Sequence, residues 1–206
     1  MAARTSRRPA QAVVLDLLMA TMDSISTWSS AAGDRELGLA WRDAVTKRMI
    51  AAGRYVSYDD LVVATAAELR LPSESPNRLR AAWSEMRPWP DVAALQRRRV
   101  PFAFVTNCST ALAADAALRS GLEPAFTLSA EESGWYKPHP EMYRLACDRM
   151  GASVGEVHCV AGAPYDALGA SAAGLRATLV ARRPPAGPLP SGIAVVSSLA
   201  EALSVG

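Results

Sequence analysis

Five short apolar runs, each closing on a polar or small residue, constrain the fold of this chain more than any other feature. They are Ala12–Leu15, Val100–Val105, Val157–Val160, Ala177–Val180 and Ile193–Val196, all rich in β-branched side chains. Near-continuous apolar runs of this length belong to strands buried on both faces of a parallel sheet. Helical segments lie between them. Ser109 or Thr110 caps one that runs to about Arg119, with Gly121 as its stop. Pro138 and Pro140 open another through Met150, closed by Gly151, and Asp166 begins a third that Gly174 ends. This alternation predicts an α/β chain with a Rossmann-like, doubly wound parallel sheet.

One stretch breaks the alternation. Residues 25–87 show helical periodicity and no good strand. Leu37, Trp41, Val45 and Met49 recur every fourth position; Leu61, Thr65, Glu68 and Leu69 suggest a second helix, and Leu79, Trp83 and Met86 a third. These residues are expected to form an inserted helical cap over the carboxyl ends of the strands, where α/β sheets bind ligands. The core is then 12–24 with 88–206, and Arg87-Pro-Trp-Pro90 is the return linker. Residues 1–11, with Arg4, Arg7 and Arg8, read as a disordered basic arm, and Arg183–Pro190 as a loop.

Composition removes several function classes. The chain has 206 residues, is 50% hydrophobic and carries a net charge of +2, which argues against disorder and against a nucleic-acid binder with a basic stripe. No window approaches a membrane span. Two histidines and three cysteines without metal-type spacing leave little for a zinc site or a Ser-His-Asp hydrolase. Cys108, Cys147 and Cys159 are an odd set, so a reducing cytoplasm is the expected location. No cofactor, metal, nucleic-acid or membrane partner is expected.

Several sheet segments end on reactive-looking residues: Asp16 after the first, Thr106-Asn107 after the second, and Asp166 in the loop after the third. Lys137 precedes the Pro-initiated helix. In a parallel sheet these ends share one edge, so all four positions converge on one cleft. A carboxylate beside an ammonium stays ionised there and serves as a nucleophile. Taken singly each has a plainer reading: a turn former at Asp16, a helix cap at Asp166, turn bonding at Thr106 and Asn107, a surface lysine at Lys137.

The order of these motifs resembles the haloacid dehalogenase superfamily, and more narrowly its metal-independent 2-haloacid dehalogenases. The likeness rests on Leu15-Asp16-Leu17-Leu18 for the nucleophile motif, Trp41-Arg42 in the cap and Thr106-Asn107 for the second motif. Tyr136-Lys137-Pro138-His139-Pro140 with Tyr143 matches the third, and Tyr165-Asp166-Ala167-Leu168-Gly169-Ala170 the fourth. The resemblance implies that Asp16 attacks the halogen-bearing carbon and that water hydrolyses the resulting ester. Lys137 then holds Asp16 ionised, Asp166 positions Lys137 or activates water, and Arg42 receives the halide or a substrate carboxylate. Thr106 and Asn107 bind the substrate carboxylate and ester oxygen, Tyr143 completes the polar wall, and Leu18 and Trp41 line the substrate pocket. A small, anionic substrate and a homodimer follow from the same resemblance, with Trp28, Trp41 and Trp83 serving either a dimer surface or the cap core.

Some positions depart from the family pattern. The acid–base Asp of superfamily phosphatases is Leu18 here, and their acidic magnesium ligand aligns with Gly162, so phosphatase chemistry is poorly supported. The dehalogenases' Gly-Thr after the nucleophile is Met19-Ala20, and their fourth-motif Ser and Asn are Ala161 and Ala163. Two alternatives therefore stand beside haloacid hydrolysis. One keeps Asp16 but directs it at an epoxide or a larger biosynthetic electrophile, with Tyr143 or Tyr165 protonating the alkoxide. The other is a degenerate, non-catalytic binding protein of the same fold.

Overall fold

The buried run Ala12–Asp16 forms β1, the strand around which the rest is laid out. The computed structural model describes residues 10–97, 100–183, 187, 189 and 192–204, and in it β1 leads into a π-helical turn at Leu17–Thr21. Four helices follow: α1 (Ser24–Ala32), α2 (Arg35–Ala52), α3 (Tyr58–Glu68) and α4 (Ser75–Trp83). A 3₁₀ stretch, Pro90–Arg97, returns the chain to β2 (Phe102–Thr106). Next come α5 (Thr110–Arg119), β3 (Thr127–Ser129), α6 (Ala130–Ser133) and α7 (Pro140–Met150). The chain ends with β4 (Val157–Ala161), α8 (Pro164–Ala172), β5 (Arg176–Val180), β6 (Ala194–Val196) and α9 (Leu199–Ser204).

All strand pairings are parallel, in the order β3-β2-β1-β4-β5-β6. The chain is therefore an α/β protein with a Rossmann-like core and a helical cap. β1 lies between β2 and β4, so successive crossovers diverge on either side of it. That divergence opens a crevice beyond the carboxyl end of β1, and Asp16 is the last residue of that strand.

The cap packs around its tryptophans. Trp28 meets Trp41 edge-on at 4.8 Å, and the Trp41 indole N–H donates to Val62 O and Thr65 Oγ1, both at 3.1 Å. Trp83 donates to Leu112 O on α5 at 3.1 Å and so ties the cap to the core. All three tryptophans are buried within the chain itself, which removes them from any dimer surface. Gly38 lets α2 approach α1 closely: a β-carbon there would lie 2.6 Å from Ser29 Cα and from Trp28 O.

The helical faces differ in detail from the sequence reading. Leu37 is 46% exposed, and α2 instead buries Gly38, Trp41, Val45 and Met49. α3 buries Tyr58, Val62, Thr65 and Ala66 and leaves Glu68 and Leu69 exposed. Of the predicted face only Thr65 is buried, and Leu69 lies just beyond the helix end. Two strips join cap and core. Asp23 N donates to Arg87 O at 2.8 Å beside a Met22–Pro88 bridge. Tyr55 N donates to Gly134 O at 2.9 Å, and Tyr136 N to Gly53 O at 2.7 Å. Among the described residues no helix is long and apolar enough to cross a membrane. Residues 1–9 of the predicted basic arm, and most of the predicted loop at 183–190, lie outside the described residues.

Candidate active site

Asp16 leaves β1 with its carboxylate turned back on the π-helical turn. Oδ2 accepts from the backbone N–H groups of Met19 at 3.1 Å and Ala20 at 3.3 Å. The Thr21 hydroxyl donates to Asp16 O at 3.0 Å and closes the turn from below. The hydroxyl lost at position 20 relative to the dehalogenase pattern is thus matched by two main-chain donors.

Lys137 reaches the same carboxylate from the loop between α6 and α7. Its Nζ donates to Asp16 Oδ1 at 3.0 Å, to Asp166 Oδ2 at 2.7 Å and to Val105 O at 3.1 Å, so all three ammonium donors are used. Lys137 is only 1% exposed. Burial works against its charge, but Asp16 and Asp166 together outweigh it and hold the ammonium above the ordinary lysine range. Asp166, in the first turn of α8, is raised from its ordinary value by burial, with Lys137 opposing. Tyr143 Oη donates to Asp166 Oδ1 at 2.7 Å and fixes its second oxygen.

Asp16, Lys137, Asp166 and Tyr143 therefore meet at one buried cluster. The other expected site residues are placed differently. Asn107 Nδ2 donates to Lys137 O at 2.9 Å, while Lys137 N donates to Asn107 Oδ1 at 2.7 Å. Both ends of that amide bond the lysine backbone, so Asn107 orients Lys137, and one N–H of its amide nitrogen is left over from these bonds. Thr106 is buried with its hydroxyl 3.6 Å from Cys108 Sγ, whose thiol burial pushes up to about 12. Trp41 lies in the cap core with its N–H bonded there, away from the polar cluster. Tyr143 props Asp166, and Asp166 caps nothing: the residue before α8 is Ala163, without a side-chain cap bond. Leu18 sits on the turn, half-buried against the core.

Arg42 projects from α2 with its side chain 11% exposed, and its ion pair with Asp43 is long, at 3.6 Å. Its charge is felt at Tyr165, as are those of Lys137, Asp16 and Asp166, so that phenol lies within electrostatic reach of both the cap guanidinium and the carboxylate cluster. Burial raises the Tyr165 phenol to about 12, so it stays protonated. Sequence reading noted Tyr165 only as a family match and a spare acid. Its position one residue before Asp166, at the start of α8, is the signal that places it near the carboxylate cluster.

The donor set speaks to metal binding. The two carboxylates share an ammonium, and among the described residues no group of three or more His, Cys, Asp or Glu side chains could hold an ion. At Gly162 a β-carbon would fall 2.3 Å from Ala20 N and 2.4 Å from Met19 Cβ, so no acidic side chain fits there while the turn keeps its course.

Comparison with known proteins agrees with this architecture. A family model described as haloacid dehalogenase-like hydrolase matches residues 35–174, more than half of the chain. The chain is 30% identical over 113 residues to (S)-2-haloacid dehalogenase 4A of Burkholderia cepacia, a match spanning 52% of this chain and about half, 49%, of that enzyme. It is 28% identical over 167 residues to (S)-2-haloacid dehalogenase 1 of Pseudomonas sp. strain CBS-3, covering 75% of this chain and 70% of that one. The fold superposes on L-2-haloacid dehalogenase from Xanthobacter autotrophicus with chloropropionic acid covalently bound. There the TM-score is 0.79 and the identity 18%, with 95% of this chain and 98% of that one covered. By its sequence match and its fold, the chain belongs to the haloacid dehalogenase-like hydrolases.

Proposed function

We propose that this hydrolase opens a carbon–halogen bond in a short 2-haloacid through a covalent ester on Asp16. The observation that carries the reading is the buried line Asp166–Lys137–Asp16, with both oxygens of the nucleophile already bonded to donors. A lone pair on Asp16 Oδ1 forms the bond to the substrate carbon as the halide departs with its electrons. Oδ2 then becomes the ester carbonyl oxygen, and the Met19 and Ala20 N–H groups that hold it stabilise the charge that develops when water adds to Asp16 Cγ. The oxyanion role thus moves from Thr106 and Asn107 to the main chain of the turn. Asp166, raised above an ordinary carboxylate, takes the water's proton. Arg42, the cap's cation over the cleft, pairs with the substrate carboxylate or the departing halide. The named relatives' activities support this substrate class.

Halide release from (S)-2-chloropropionate tests the proposal. Asp16→Asn is expected to fall to the background rate. In a single turnover in ¹⁸O-labelled water, the label is expected in the Asp16 carboxylate. Label found only in the product would mean that water attacks the substrate directly, and would overturn the ester.

A second reading is favoured by Tyr165. Its hydroxyl stays protonated, within reach of the charges of Asp16 and Arg42, and makes no hydrogen bond among the described residues. Attack of Asp16 on an epoxide carbon would break the C–O bond and leave an alkoxide that takes the Tyr165 proton. Tyr165→Phe separates the readings: it leaves halide release nearly unchanged but suppresses formation of an Asp16 adduct with an epoxide such as styrene oxide, read by mass. The binding-protein alternative has no support in a site that keeps nucleophile, cation and base bonded together.

A further inference from the structure

The turn that holds Asp16 is itself held from outside. Met19 and Ala20 donate their N–H groups to the nucleophile, and their carbonyls are both taken by side chains distant in sequence. Trp89 Nε1 donates to Met19 O at 3.1 Å, and Arg182 Nη2 donates to Ala20 O at 2.7 Å. Arg182 is nearly buried, with its guanidinium 5.0 Å over the Trp89 ring and bidentate to Asp91 at 2.9 and 3.0 Å. Asp91 also accepts from Leu199 N at 2.7 Å, which anchors the group to α9. Trp89 N donates to Thr21 O at 2.9 Å. Trp89 and Asp91 belong to the segment by which the chain returns from the cap.

We propose that Trp89 and Arg182 are positioning residues for the nucleophile: Trp89 grips the Met19 carbonyl, whose peptide unit carries the Ala20 N–H that donates to Asp16, and Arg182 grips the Ala20 carbonyl and so holds the next peptide unit of the same turn. The cap's return segment thereby sets the alignment of a carboxylate that it does not touch. The kinetic half rests on reading Asp16 as the nucleophile; the structural half does not. Hydrogen bonds fixed at both ends of a peptide unit limit its rotation, and a misplacement of about 1 Å at a reacting group costs about a hundredfold in rate. Arg182 is suited to the task because one fork satisfies a carboxylate and a carbonyl together, which a lysine cannot do.

Trp89→Phe is the main test, because it removes one N–H and keeps an aromatic ring under Arg182. Amide exchange at Met19 and Ala20 is expected to quicken about tenfold, while β4 amides keep their protection. With (S)-2-chloropropionate, kcat is expected to fall about tenfold to a hundredfold with KM within about twofold. Arg182→Lys should lie between wild type and Arg182→Met on both readouts. Unchanged exchange at Met19 and Ala20 would overturn the clamp. So would an active wild type whose kcat survives Trp89→Phe while only its melting temperature drops. A wild type that releases no halide sinks the dehalogenase reading, and the exchange measurement still decides the clamp.

Discussion

Lys137 is the residue on which the site closes: its three donors meet three oxygens, two of them charged, and the result is an ammonium that titrates outside any working pH. The adjustable group is Asp166. Tyr143 donates to its Oδ1 and favours the charged form against burial. Tyr143→Phe removes that bond, which is worth roughly 1.5–3 kcal/mol for a charged acceptor. The Asp166 carboxyl then binds its proton at higher pH, so the acid limb of kcat/KM moves upward. The sign for stability is the same: the variant's deficit is largest at neutral pH and shrinks as the pH falls and Asp166 protonates. A pH profile and urea melts at two pH values check both. Asp16, Lys137 and Asp166 were legible in the sequence because strand ends and motif spacing point to them. The hydrogen-bond partners of Asn107 and Tyr143 were not, since a polar residue's type does not reveal whether a backbone, a carboxylate or a substrate takes its bond.

The α1–α2 contact is the element on which the cap depends. Gly38 sits where a methyl group would meet the backbone of Trp28 and Ser29 at 2.6 Å, and neither helix can yield without disturbing the Trp28–Trp41 contact. Gly38→Ala is therefore expected to destabilise by roughly 1–3 kcal/mol despite alanine's better helix propensity. Thermal melting measures it, and protease sensitivity at α1–α2 locates it. Periodicity found three of the four cap helices, missing α1, and set the face of α4 correctly while misplacing Leu37 on α2 and the buried face of α3. Leu37 fits the four-residue repeat by its chemistry, yet Gly38 occupies the contact because only a residue without a side chain lets the helices that close. β3 escaped notice altogether: Thr127–Ser129 is three residues long, too short to show a run. The strand end at Asp16 is legible, but the π-helical shape of Leu17–Thr21 becomes clear only from the oxygens and nitrogens it has to satisfy.

In the whole molecule the cap is tethered twice, at the paired crossings Met22–Pro88 and by a side contact at Arg54–Trp135, and the crossings run beside the turn that holds Asp16. Contacts such as Arg182 to Ala20, 162 residues apart, are what no sequence pattern carries. The charge arrangement at the crevice also fixes the response to chelators: since Lys137 occupies the place between two carboxylates, halide release is expected to be the same before and after dialysis against EDTA. A strict requirement for added Mg²⁺ would contradict it. Gly162 extends this to ancestry. Its missing β-carbon leaves room for the Ala20 nitrogen, so a lone change to aspartate there collides with the loop that aims Asp16. Any mutational path from this chain to an ion-dependent descendant must first reroute that loop, through an intermediate already impaired in its present chemistry.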